Sequence, residues 1–324
     1  MGTLPLTLAV ELYDRHVPFF EGAVKPKELD LTVIHVGQVT PSRHGRNRHE
    51  RMIRDREFDA AEVSLSSYLM AVDRGLPLTA IPVFPRRLFS QPLIYCHAGS
   101  ALKSARDLVG KKVGLNSFQT TLSVLAKGDL QEEYDVPWRT IAWYTVNQEA
   151  LPFTPEAGVR IEAIPAGKEI GEMVGGGELD AVILPHPPRS VLHGRGVRRL
   201  FADPRLETVR YFRKNGYYPI MHVVALKADL AARHPWVAAV LMEAFARAWA
   251  VATEYYDDPN WSRLAWARHL LEEERAQLGQ DLWPNGIARN RANLERFIHY
   301  SHDQGLIKAP RPVESLFLES TRDT

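Results

Sequence analysis

The chain of 324 residues holds one cysteine, Cys96. A single thiol forms no intrachain disulfide and builds no thiolate metal centre alone, so disulfide-stapled and Cys-rich zinc folds are excluded. Charge of one sign is also missing: Lys+Arg 40 stand against Asp+Glu 39, a formal charge of +1. No whole-molecule field for nucleic acid or acidic membrane follows from that balance. Long apolar runs are absent too; none approaches the roughly 20 residues that a membrane span needs. The opening "MGTLPLTLAVELYD" has no basic residue ahead of its apolar run and no small-residue cleavage pattern. It reads as a first strand, not a signal peptide, and the expectation is a cytoplasmic protein. The 45% hydrophobic and 24% charged residues are a globular composition, long enough for two domains.

Short apolar strands alternate with helical patterns, which predicts an α/β fold with mainly parallel sheets. Residues 4–12, 29–36, 59–65 and 78–84 read as strands, and 49–58 and 66–75 as helices. A second such unit follows Cys96, and the chain from about Ala228 is mostly helical. "REFDAAEVS" (56–64) and "GELDAVILP" (177–185) share the order acid, apolar, Asp, Ala, strand. That suggests one α/β device used once per lobe. The boundaries expected are 1–94 plus 216–324 for the first lobe and 95–215 for the second. Two crossings make a cleft between lobes, and such clefts are preferred ligand sites.

"GYYPIMHVVAL" (216–226) reads as a buried strand except for His222. The plain reading of that imidazole is a satisfied core histidine; the functional one is a proton carrier at the cleft. "RHGRNRHERMIRDR" (43–56) holds six arginines and two histidines. It lacks the interleaved aromatics of a nucleic-acid surface. It reads as a solvated face from which Arg48 and Arg51 are best placed to clamp a carboxylate. "EVSLSSYL" puts Ser64, Ser66, Ser67 and Tyr68 where a strand becomes a helix. "NSFQTTL" repeats the arrangement with Asn116, Ser117 and Thr120. Both fit ordinary capping, and both fit oxyanion binding at a helix start. Arg86 and Arg87 face either cleft or water. Metal motifs are weak: His49 and Glu50 open no H-E-x-x-H because position 53 is Ile, and His299 and His302 read as surface-helix residues. "VGGGELD" is not a dinucleotide fingerprint, and no G-x-S-x-G elbow is present.

Together "REFDAAEVSLSSYL", "AIPVFPRRLF", "GYYPIMHVVAL", "HPWVAAVLMEAF" and "WPNGIARNRANLERFIHYSHDQGL" resemble the 4,5-dihydroxyphthalate decarboxylases. Val63, the basic "PSRHGRNRHERM" and "LPHPP" (184–188) depart from the usual pattern. The resemblance implies a two-lobed fold related to type 2 periplasmic binding proteins. It implies loss of one carboxylate from a dihydroxylated aromatic dicarboxylate, giving protocatechuate and carbon dioxide without an organic cofactor. Within it, His222 is the leading proton donor, with His16 beside Arg15 as a second candidate. Glu62 or Tyr68 would hold the phenol. Arg15, Arg48, Arg51, Arg86 and the serines, Asn116 and Thr120 are the substrate-binding candidates. Neither nucleic acid nor membrane is an expected partner, and homo-oligomerisation is left open. The main rival is a cytoplasmic binding or sensor protein for an aromatic carboxylate.

Overall fold

The computed structural model describes residues 3–37 and 48–324. The stretch 43–47, part of the arginine-rich segment singled out above, lies outside the described residues. The chain gathers into two compact units. One takes the described residues of Met1–Arg87 with Ile220–Glu295 and Arg311–Thr324; the other takes Leu88–Pro219 and Arg296–Pro310.

In chain order the strands are β1 (Leu4–Val10), β2 (Leu29–His35), β3 (Ala60–Ser64), β4 (Leu78–Ile81), β5 (Ile94–His97), β6 (Lys112–Leu115), β7 (Ala142–Thr145), β8 (Ile161–Ala163), β9 (Ala181–Ile183), β10 (Val197–Arg199) and β11 (His222–Lys227). The first unit holds a five-stranded sheet ordered β2-β1-β3-β11-β4. β1 runs parallel to β2 and β3, while β11 returns antiparallel between β3 and β4. The second holds six strands ordered β10-β5-β9-β6-β7-β8, parallel from β9 to β8 and antiparallel at β5 and β10.

Alternation along the strands builds the first core. Leu6, Leu8 and Val10 of β1, Ala60 of β3, and Val224 and Leu226 of β11 are buried in one cluster. Helix Val237–Glu254 closes over it, burying Val237, Ala238, Leu241, Ala244, Phe245, Ala248 and Ala252 along one stripe. Full burial of one large apolar side chain is worth roughly 1.5–3 kcal/mol, so this layer dominates the unit's stability.

The two echoing segments perform the same task. Ahead of β3, Asp59 Oδ2 accepts the Thr7 N–H of parallel neighbour β1 at 2.9 Å. Ahead of β9, Asp180 Oδ2 accepts the Lys112 N–H of parallel neighbour β6 at 2.9 Å. Each aspartate ties off an interior-strand amide just before its own strand joins the ladder.

Two details differ from the sequence expectation. β11 begins at His222, because residues 217–221 are not in the ladder; Arg87 and Ile220 form an isolated bridge there. Residues 88–94, 216–219 and 296–310, all expected with the first lobe, belong to the second unit. For 296–310 the cause is local packing: Gly128 lets the Tyr300 ring lie directly on helix Thr121–Tyr134, and Asp303 accepts from Trp138 Nε1 at 2.7 Å. Among the described residues, no helix is long and apolar enough to cross a membrane.

Candidate active site

At the C-terminal ends of β1 and β3 the apolar row of the first sheet gives way to charge. Ala60, Glu62 and Ser64 alternate onto one face of β3, and in the antiparallel register His222 stands opposite Ser64. His222 is therefore the diagonal neighbour of Glu62 on the same face. Its Nδ1 hydrogen-bonds Glu62 Oε1. Glu62 is fully buried and His222 nearly so, at 5% exposure.

Glu62 is enclosed by donors. Arg48 Nη2 lies 3.1 Å from Oε2 as an ion pair, too poorly aligned for a hydrogen bond. The Glu11 N–H donates to Oε2 at 3.1 Å and Tyr13 Oη to Oε1 at 3.3 Å. Burial alone would raise the carboxyl pKa. The Arg48 charge and the His222 bond outweigh it and hold Glu62 well below the usual carboxylate range. The carboxylate stays ionised, so the His222 Nδ1 carries the hydrogen and its Nε2 carries the lone pair. Burial pushes His222 down to about 4, against the opposing pull of Glu62. In the resting site His222 is a neutral imidazole of fixed tautomer.

The expected carboxylate clamp divides on inspection. Arg48 is fully buried and spends its fork inside the protein: Nε donates to the Glu62 carbonyl at 2.7 Å and Nη1 to the Val36 carbonyl. It neutralises Glu62 instead of reaching outward. Arg51 is engaged by the Glu57 carboxylate, with Nε–Oε2 at 2.6 Å, and the structure does not bring it to the dyad. Arg15 is sandwiched between Tyr13 and Trp283, 4.0 and 4.4 Å from the ring centroids, and its Nε donates to the Pro85 carbonyl at 2.7 Å. Arg87 donates to Pro284 and Asn290, each at 2.7 Å, and braces the loop. Arg86 differs. Its backbone carbonyl accepts the N–H groups of Met221 at 2.8 Å and His222 at 3.2 Å. Its side chain is partly exposed, and its charge depresses the pKa of His222.

Ser64 caps helix Leu65–Asp73, its Oγ accepting the Ser67 N–H at 3.4 Å; Ser66 and Ser67 are buried. Tyr68 is not at the phenol position expected for it. Its hydroxyl donates to the Leu316 carbonyl and its ring is core. His16 is fully buried against Phe245 (5.7 Å) and Tyr13 (5.4 Å), its Nδ1 donating to the Glu11 carbonyl at 2.8 Å. Burial pushes it to about 4, and it props the turn that delivers Tyr13.

Asn116, Ser117 and Thr120 lie in the second unit. The amides just ahead of helix Thr121–Tyr134 already bind a carboxylate of the chain itself. Phe118 N–H and Gln119 N–H donate to Glu149 at 2.6 and 3.1 Å. Thr120 Oγ1 pairs with Ser123 Oγ at 2.7 Å and also reaches the Ser117 carbonyl, while the Asn116 carbonyl accepts the Asn147 N–H at 2.8 Å.

Two residues of the site escaped the sequence reading. Tyr13 is the hydroxyl that bonds Glu62. His49, dismissed with the failed metal motif, accepts the Ser64 N–H on Nδ1 at 2.8 Å and stands edge to face with His222, ring centroids 4.9 Å apart. The only available signal for His49 was its neighbour Arg48. Among the described residues, no group of three or more His, Cys, Asp and Glu side chains is arranged to hold a metal ion.

Solved structures identify the class of fold. The periplasmic aliphatic sulphonate binding protein of Escherichia coli superposes with a TM-score of 0.61 over the whole of both chains, at 11% identity. The two mixed sheets are thus a two-lobed periplasmic-binding-protein-like α/β fold. No protein-family model matches the chain. Full-length relatives narrow the class. The 4,5-dihydroxyphthalate decarboxylase of Comamonas testosteroni is 31% identical over 316 residues, 94% of each chain. That of Pseudomonas putida is 30% identical over 225 residues, 67% of this chain and 84% of its own. The chain belongs to the 4,5-dihydroxyphthalate decarboxylase family and is a carboxy-lyase.

Proposed function

We propose that the protein converts 4,5-dihydroxyphthalate to protocatechuate and carbon dioxide without an organic cofactor or metal, with His222 as the proton donor. The buried Glu62–His222 pair is the observation that carries this reading. Each carboxylate of that substrate is para to a hydroxyl. Electron density from the hydroxyl oxygen moves through the ring to the carbon bearing the departing carboxylate. That carbon takes a proton from His222 Nε2 as the hydroxyl proton passes to solvent, giving a dienone in which aromaticity is interrupted. The carbon–carboxylate bond then breaks, its electron pair restores the ring as a phenolate that regains its proton from solvent, and carbon dioxide leaves. One proton is consumed per turnover and is restored to His222 from solvent.

A resting imidazole with pKa of about 4 is neutral near pH 7, so it must gain its proton with the substrate. A dianionic ligand beside it favours the imidazolium, and Glu62 keeps that cation paired. Arg86, fixed beside the His222 backbone, takes the retained carboxylate. A positioned general acid contributes about 10²–10⁴-fold, so one histidine is an adequate engine for part of the acceleration.

Chromatography after incubation of chelator-treated protein with 4,5-dihydroxyphthalate tests the reading. Protocatechuate is expected. Absence of product together with a ligand-induced rise in melting temperature would replace it with a binding role. Folded His222→Asn retaining near-wild-type turnover would remove His222 from the chemistry.

A further inference from the structure

The inference concerns His49 and rests on the decarboxylase reading. Decarboxylation needs the departing carboxylate turned out of the ring plane, so that its bond to the ring aligns with the π system. Whatever orients it must release it as a neutral gas. A permanent cation would stabilise the anionic ground state as well as the transition state, and uniform stabilisation does not speed the chemical step. A neutral N–H donor orients the group at lower cost.

His49 meets that description. Its Nδ1 accepts the Ser64 N–H at 2.8 Å, so a neutral ring carries its hydrogen on Nε2. The Ser64 backbone is itself held in the β3–β11 ladder opposite His222, so the lock is rigid. The two rings meet edge to face at 71° with centroids 4.9 Å apart. His222 is almost wholly buried, whereas His49 is partly exposed and can meet a ligand arriving from solvent. If His222 Nε2 serves the ring carbon, a donor one imidazole away falls on a substituent of that carbon. The hydroxyl across the ring is farther off.

We infer that His49 is a catalytic hydrogen-bond donor, its Nε2–H holding an oxygen of the departing carboxylate while His222 protonates the carbon that bears it. Desolvation, with His222 and Arg48 beside it, holds His49 well below the ordinary imidazole value, which favours the neutral ring this role requires.

Two isosteric replacements separate this role from simple support of the backbone. In His49→Asn the amide oxygen replaces Nδ1, keeping the Ser64 bond and losing the outer donor. In His49→Gln the amide nitrogen replaces Nε2, keeping the donor and losing the Ser64 bond. Steady-state formation of protocatechuate and melting temperature are measured for both beside wild type. The expected result is a fall in kcat of about 10²-fold for the folded Asn variant, at the lower end of what one positioned group contributes. The Gln variant is expected to recover much of that rate with a lower melting temperature. Wild-type-like kcat in the Asn variant, with loss confined to Gln, would overturn the inference and leave the decarboxylase reading standing. A wild-type protein that makes no protocatechuate would overturn both.

Discussion

Replacing Glu62 by Gln removes the negative charge that faces buried Arg48 and leaves only a neutral amide oxygen to accept from His222 Nδ1. Breaking a buried ion pair from one side typically costs about 3–5 kcal/mol, and Glu62→Gln is expected to lose that order of stability in denaturant unfolding. A loss below about 1 kcal/mol would mean that the pair is not buried in solution. His222→Asn should unfold near the wild-type midpoint yet lower kcat by about 10²–10⁴-fold. The pH profile follows from the same residue. Free-enzyme His222 has its pKa near 4, so the protonated form becomes scarcer at every pH above it. kcat/KM should fall across pH 5–8, while kcat, which reports the complex, should break at higher pH. A kcat/KM profile flat over that range would contradict the donor role. His222 and Glu62 were legible as chemistry because an imidazole and a carboxylate are anomalous in apolar strand patterns. Tyr13 and His49 were not, since both sit in polar surroundings where such residues are ordinary. Arg48 was legible as important but with the wrong sense: sequence counts its donors and cannot see that the Glu62 and Val36 carbonyls consume them.

Elements deliver these residues through packing. Helix Val237–Glu254 seals the first sheet, and Phe245 touches both Phe19 (ring centroids 5.1 Å) and His16 (5.7 Å). Phe245→Ala is expected to cost about 3–5 kcal/mol, read as a lowered denaturation midpoint. In the second unit a Cβ at Gly128 would lie 2.2 Å from the Tyr300 ring. Gly128→Ala should therefore destabilise by about 1–3 kcal/mol, although alanine is the better helix former. A neutral or stabilising effect would show that the two helices do not pack this closely. The amphipathic stripe of Val237–Glu254 could be read from spacing alone. The partner of Arg291–Asp303 could not, because an apolar stripe names no neighbour. That is why residues 296–310 were expected in the wrong unit. β5 and β10 were passed over for a different reason: three- and four-residue strands carry almost no periodic signal.

For the whole molecule, buried titratable groups tie stability to pH in both units. In the first, His16 and His222 are held near 4 while an unfolded chain protonates them near the ordinary 6.5. Stability contributed there falls as pH drops from 6.5 through 4. Glu62, held low, adds a further loss in stronger acid. In the second unit burial raises Asp129 to about 7, with Glu133 adding to the effect and the Ser90 hydroxyl opposing it. The folded unit keeps a proton that the unfolded chain releases near 4, so its stability falls as pH rises from 4 through 7. Buried Lys127 of the same helix is held well below the usual lysine range and pulls the other way, so the Asp129 contribution is read as a difference. Hydrogen exchange resolved by segment should show β3 and β11 losing protection on acidification, and helix Thr121–Tyr134 keeping more protection on alkalinisation in Asp129→Asn than in wild type. An alkaline response of helix Thr121–Tyr134 that Asp129→Asn leaves unchanged would contradict the assignment.

The central claim is that a solvent-exchangeable donor, His222, protonates the ring carbon that loses its carboxylate. Turnover of 4,5-dihydroxyphthalate in deuterium oxide, with the product read by proton magnetic resonance, tests it most directly. The account predicts protocatechuate carrying one deuterium at the vacated carbon, formed far more slowly by His222→Asn. No product, or product with hydrogen at that carbon, would contradict it.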